Sequence, residues 1–183
     1  VTNLAELARQ PPERIAGRIV FFTGRMERTR DGAGYGRAVA VRSHGATEAA
    51  KLGAVAMVMR SSGTSATRTP HTGAMSVANG PPPIPALALA NPDADLLERQ
   101  LASGLPVRIR LSSTAAWDGE AQSANVIGEI PGRELRDEIV LLGAHLDSWD
   151  LGTGAHDDAA GVGIVTAAAR LVGEEVARAG DRW

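Results

Sequence analysis

Apolar residues recur along the chain in short blocks, separated by polar, glycine-rich and proline-rich stretches. Gly17-Arg18-Ile19-Val20-Phe21-Phe22 is a β-rich run behind a turn residue, which predicts a strand. A polar Arg/Gly loop is expected from Thr23 to about Arg37. Ser43 is placed to cap a helix from about Ala46 to Leu52, with Gly53 ending it. The apolar run Ala54–Met59 predicts a buried strand. Residues 61–80, rich in Ser, Thr and Gly with Pro and Asn, read as a long irregular loop, and Pro81-Pro82-Pro83-Ile84-Pro85 as a stiff extended piece. A short apolar strand is expected over Ala86–Ala90. A helix follows from Asn91-Pro92-Asp93 to about Ser103, with Pro92 suited to its first turn and Gly104 as its stop. Val107-Arg108-Ile109-Arg110-Leu111 alternates apolar and charged, as a half-exposed strand does.

After a polar linker over residues 116–122, the pattern predicts a strand from Ala124 to Ile130 and a Pro131-Gly132 turn. A second, almost wholly apolar strand is expected from Glu138 to Ala144, as in a sheet covered on both faces. A helix is expected from Ala159 to about Ala179, with Val162, Val165, Ala169 and Val172 near helical spacing. These elements predict an α/β fold in two parts. Residues 1–12 form an N-terminal segment, residues 13–115 a small α/β module, and residues 116–183 the start of a second α/β unit.

The bulk composition excludes several function classes. Of 183 residues, 44% are hydrophobic and 22% charged, a globular balance. A formal net charge of -2 gives no pull toward nucleic acid or an anionic membrane. The absence of Cys removes disulfides, thiolate nucleophiles and Cys-based zinc sites. No apolar stretch approaches the roughly 20 residues that span a bilayer, and residues 1–12 hold no signal-peptide apolar core.

The candidate chemistry lies in residues 143–161, GAHLDSWDLGTGAHDDAAG, which gather two histidines and four aspartates. His145 and Asp147, two residues apart in extended chain, project to the same side. A ligand histidine needs a carboxylate or carbonyl on its other ring nitrogen to fix its tautomer, and Asp147 can help order that arrangement. Asp157 and Asp158 stand at the start of the predicted helix. Two adjacent carboxylates repel, and a divalent cation removes that conflict. One carboxylate can also bridge two metal ions. Against this stands the plainer reading, in which Asp157 and Asp158 only cap the helix and favour its dipole. The residues alone leave both readings open. The glycines do not make a dinucleotide site, because the following acids would repel a pyrophosphate.

The same segment resembles the metal-binding segment of the M28 family of zinc peptidases, in the form HLDSWD…G.GA.DD..G of its carboxypeptidase Q branch. Upstream, GRIVFF, HGATEAAKLGAVAMVMRS, TPHTGAM and PPIPALAL resemble the protease-associated (PA) domain carried by that branch. The resemblance implies a PA-type α/β domain over residues 13–115, then the first part of a zinc-exopeptidase core with a mixed sheet flanked by helices. It implies two zinc ions per complete active site, with His145 a zinc ligand and Asp157 the bridging ligand. Asp147 is implied as the acid that supports the ligand histidine, counted among the catalytic residues, and Asp158 as a non-ligand. A peptide substrate and a secreted or periplasmic location follow by the same route; a homodimer is compatible with it. A general-base Glu, a further Asp and a distal His are expected beyond this chain, which is expected to be partial and inactive alone. Glu174-Glu175, tempting as a base, reads as a solvated helix face. His156, His71 and His44 read as loop or helix-start residues, and Trp149 as a pocket wall or a packing residue. The rival reading is a non-catalytic PA-type interaction module with a vestigial peptidase core.

Overall fold

The computed structural model describes residues 1–76, 84–116, 118–132, 134–149 and 152–179. The elements in chain order are α1 (Leu4–Leu7), α2 (Pro12–Ile15), β1 (Ile19–Phe22), α3 (Ala33–Lys51), β2 (Ala56–Arg60), β3 (Ala86–Leu89), α4 (Asn91–Ala102) and α5 (Ala159–Ala179). They fall into two compact units, Val1–Gly119 and Glu120–Trp183. The class is α/β.

The first unit is built on a parallel sheet in the order β1-β2-β3. Ile19 to Phe22 pair with Ala56 to Met59, and Met57 to Arg60 with Ala86 to Leu89. Alternation along the strands sends side chains to two cores. Val20, Phe22, Met57 and Met59 pack on one face with Leu7, Val41, Ala46 and Ala49. Phe21 and Val58 pack on the other with Ala94 and Leu97 of α4. Both faces are therefore covered, which is why β1 and β2 read as unbroken apolar runs. The residues ahead of β1 belong to this packing: Leu7 of α1 is only 1% exposed, and the amino terminus of Val1 donates to the Phe21 carbonyl at 3.1 Å.

A charged residue, Arg60, closes β2. Arg60 is buried. Its guanidinium donates to the carbonyls of Thr23 and Asn91 at 3.2 and 3.1 Å. It also donates to Asp95 Oδ1 at 2.7 Å and Glu98 Oε2 at 2.6 Å. Arg25 reaches the same two carboxylate oxygens from the solvent side, each at 2.7 Å. The pairing with Arg25 and Arg60 holds the Asp95 carboxyl below the usual carboxylate range.

Three expectations are corrected. The helix expected from Ala46 begins at Ala33, so Ser43 lies inside α3 and caps nothing. Its buried positions are mostly small, Gly34, Gly45, Ala46 and Ala49, and small residues leave little contrast between faces. Val107–Leu111 makes no ladder; Val107 and Leu111 turn onto the Phe21 core while Arg108 and Arg110 stay exposed. Its alternation thus reports one-sided burial without strand pairing.

The third correction concerns the second unit. The strands expected over 124–130 and 138–144 are absent: no described residue there pairs with a neighbour. Ile139 and Val140 are 85% and 92% exposed. Strand formation depends on partners, and no described segment supplies one. Among the described residues of this unit the one regular element is α5, in the expected place, with no buried residue. The proline run Pro81-Pro82-Pro83, Trp117 and Leu151 lie outside the described residues. No described helix is long and apolar enough to cross a membrane.

Candidate metal centre

The site forms where the extended segment ending at Asp147 meets the first turn of α5. Asp158 makes that junction. Its Oδ1 accepts the backbone N–H of Gly161 at 3.2 Å, and its carbonyl accepts that of Val162 at 3.0 Å, so it caps α5. Its Oδ2 accepts the backbone N–H of His145 at 3.2 Å. A single carboxylate therefore ties the end of one segment to the start of the next. Gly161 is required by this arrangement: a Cβ there would lie 2.2 Å from Asp158 Oδ1. Gly154 meets a second constraint, since it has φ +64° and a Cβ would lie 2.6 Å from that of Ser148. The peptide bond between Asp157 and Asp158 is cis.

With Asp158 engaged, Asp157 faces the histidine. His145 Nε2 lies 3.0 Å from Asp157 Oδ1. Nδ1 lies 3.0 Å from the carbonyl of Asp147 and 3.2 Å from its Oδ1. Both ring nitrogens thus have an acceptor. The Asp147 carbonyl, then the Asp157 carboxylate, raise the His145 pKa above its ordinary value near 6.5, and the charges of Asp147 and Asp158 add to this. The cluster is open to solvent: the side chains of His145, Asp147 and Asp157 are 50%, 89% and 81% exposed.

The structure therefore brings together His145, Asp147, Asp157 and Asp158. Within the same unit it does not bring in His156, Trp149, Glu174 or Glu175. His156 is exposed. Glu174 pairs with Arg170 at 2.8 Å and Glu175 with Arg178 at 3.2 Å along α5, which is a solvated helix face. His44 is exposed on α3, Trp149 is exposed on its loop, and His71 lies in the first unit. The resemblance set Asp157 apart from Asp158 as the ligand, but the residues alone did not show which of the two caps the helix. The signal was available in the spacing, because Asp158 stands three residues before Gly161, the offset at which a cap accepts an amide.

As a donor set, one imidazole nitrogen and one carboxylate suit zinc chemically. They make only part of a shell. Among the described residues no group of three or more His, Cys, Asp or Glu side chains is gathered to hold a metal ion.

Comparison with known proteins is consistent across sequence and structure. Residues 125–182 match the family model "Peptidase family M28". Carboxypeptidase Q of Homo sapiens is 36% identical over 172 residues, 94% of this chain and 35% of that protein. Carboxypeptidase Q of Mus musculus is 39% identical over 139 residues, 76% of this chain and 30% of that protein. The crystal structure of a peptidase M28 precursor from Shewanella amazonensis superposes with a TM-score of 0.80 at 44% identity. It covers 92% of this chain and 38% of the solved one. The chain thus spans about a third of the length of the curated relatives it matches.

Proposed function

Residues 125–182 belong to peptidase family M28, and on that premise we propose that the chain supplies part of a zinc-dependent exopeptidase acting on small peptides. The observation that carries this reading is the approach of His145 Nε2 to Asp157 Oδ1 at 3.0 Å, within the matched segment. His145 would hold zinc through Nε2, and Asp157 would be the shared carboxylate of a two-ion site. Asp147 would accept a hydrogen bond from Nδ1–H, leaving Nε2 to ligate once its own proton is lost. Asp158 holds the backbone of His145 against the start of α5 and so sets the distance between the two ligands. Bound zinc would polarise a peptide carbonyl and make water a better nucleophile at neutral pH. The remaining ligands and the general base would come from outside the described residues. Residues 13–115 are proposed as a PA-type module, a reading supported by the resemblance of their motifs. Peptide substrates and a secreted or periplasmic setting belong to the same proposal.

One observation favours the rival reading, a non-catalytic module with a vestigial core: three ligating side chains do not converge among the described residues. Zinc titration by calorimetry tests the two. Two protein ligands give weak but measurable binding, and His145→Ala abolishes it. Equal heats from the wild type and His145→Ala would overturn the assignment of His145.

A further inference from the structure

Beside the sheet of the first unit lies a cavity of about 280 Å³, just below the range of about 300–1,000 Å³ usual for small-molecule sites. Its walls are apolar, contributed by Met57, Met59, Met75, Ala86 and Ala88, and its one cationic group is Arg42 of α3.

Arg42 is held but not neutralised. Its guanidinium carbon lies 5.6 Å from the centroid of the Tyr35 ring, and that ring stacks on His71 with centroids 5.9 Å apart. On another side the backbone of Gly73 presses against the guanidinium: a Cβ there would lie 2.6 Å from Arg42 Cζ. Nε is buried with no acceptor. Arg25, Arg37, Arg60 and Arg68 of the same unit are each paired with a carboxylate. Arg42, half-buried, has no such partner among the described residues. His71 does not supply a second cation. Its Nδ1 lies 3.1 Å from the Ser62 carbonyl, and burial, then the Arg42 charge, hold its pKa below the ordinary value.

An unpaired cation lining an apolar cavity lacks the partner that would offset its desolvation. A planar guanidinium fork matches a carboxylate in two parallel hydrogen bonds. The methionine and alanine walls suit a short aliphatic body, and a single positive charge suits a single negative one. We propose that this cavity binds a small monocarboxylate with an aliphatic body, its carboxylate seated on Arg42.

The test is calorimetric titration of the full chain, without metal, using N-acetyl-L-leucine and its neutral amide. The acid binds saturably and the amide about tenfold or more weaker, the loss expected for one charge-assisted hydrogen-bonded contact. Arg42→Met brings the acid down to the level of the amide, Arg42→Lys keeps part of the affinity, and Gly73→Ala weakens it by displacing the guanidinium. Equal binding of acid and amide, no saturation by either, or full affinity in folded Arg42→Met overturns the proposal. The acid–amide comparison uses the wild type, so it decides even if a variant misfolds. 4-Methylpentanoate separates the sources: affinity equal to that of N-acetyl-L-leucine assigns the site to free aliphatic acids, and much weaker binding assigns it to peptide C-termini. His145→Ala binds the acid unchanged, so failure here is distinct from failure of the peptidase reading.

Discussion

Substitution of Asp158 separates a residue that shapes the metal site from one that ligates it. Asp158→Ala removes the acceptor for the Gly161 amide, which is the cap of α5, and the acceptor for the His145 amide. Loss of a cap costs about 1 kcal/mol. The exposed His145 amide is taken up by water, so its bond adds little to folding, but it fixes where the imidazole sits relative to Asp157. Zinc affinity falls by about 10- to 100-fold, as for groups that orient a ligand without touching the ion. Asp158→Asn carries one amide oxygen. It keeps either the cap or the His145 tie but not both, so it lies between wild type and alanine. His145→Ala and Asp157→Ala abolish binding. The assays are zinc titration by calorimetry and helicity by far-ultraviolet circular dichroism. If Asp158→Asn removes zinc as completely as His145→Ala, then Asp158 is a ligand and the division of roles is wrong. If Asp158→Ala changes neither helicity nor affinity, the cap and tie carry nothing.

Four further outcomes follow from the geometry. Asp147→Asn leaves the fold intact and lowers zinc affinity about 10- to 100-fold; unchanged affinity makes it a bystander. Because the His145 pKa is raised above about 6.5, the proton outcompetes zinc to a higher pH than for a free imidazole, and zinc binding fades as pH falls through that raised value. The hydrogen bonds of the charged ring stabilise the fold below about pH 6.5 and are lost as pH rises through the raised value; in a proton NMR titration Asp157→Asn moves the midpoint part of the way back, while no movement refutes the contact. Removing both Asp95 and Glu98 strands the buried Arg60 guanidinium, worth about 3–5 kcal/mol, so the double variant loses more in urea denaturation than the two single variants together.

Where burial and hydrogen bonding coincide, the pattern of residues was sufficient to locate the elements. β1, β2, β3, α4 and α5 lie within two residues of their expected ends. The start of α3 was hidden because Gly32, Gly34 and Gly36 read as loop, yet Gly34 is buried inside the helix, where a Cβ would lie 1.9 Å from the Glu27 carbonyl oxygen. The absent strands have a different cause. Ile139-Val140-Leu141-Leu142 carries every local preference for a strand, but a ladder is a property of two segments. No described residue offers the second. The Arg60 network was invisible for a related reason, since Asp95 and Glu98 are 35 and 38 residues away. Only the spacing of His145, Asp147 and the Asp pair was local enough to be read directly; the resemblance named Asp157 the ligand and Asp158 a non-ligand, and the fold added that Asp158 caps α5 and ties His145 to it.

The capping and metal readings of the Asp pair, opposed at the level of sequence, are compatible in the folded chain. A helix start needs one acceptor in its first turn, and Asp158 supplies it. That engagement fixes the carboxylate that would otherwise compete for the same space, and leaves Asp157 as the acid facing His145 at 3.0 Å. Two adjacent carboxylates near one imidazole would repel in an unstructured loop. Here one is drawn to backbone amides at the positive end of α5, and the other to a histidine ring whose pKa is raised accordingly. When the ring is charged both of its nitrogens carry protons, and the one on Nε2 is donated to Asp157. On the proposed reading zinc would replace the Nε2 proton, and the raised histidine pKa would set the pH above which that exchange becomes favourable.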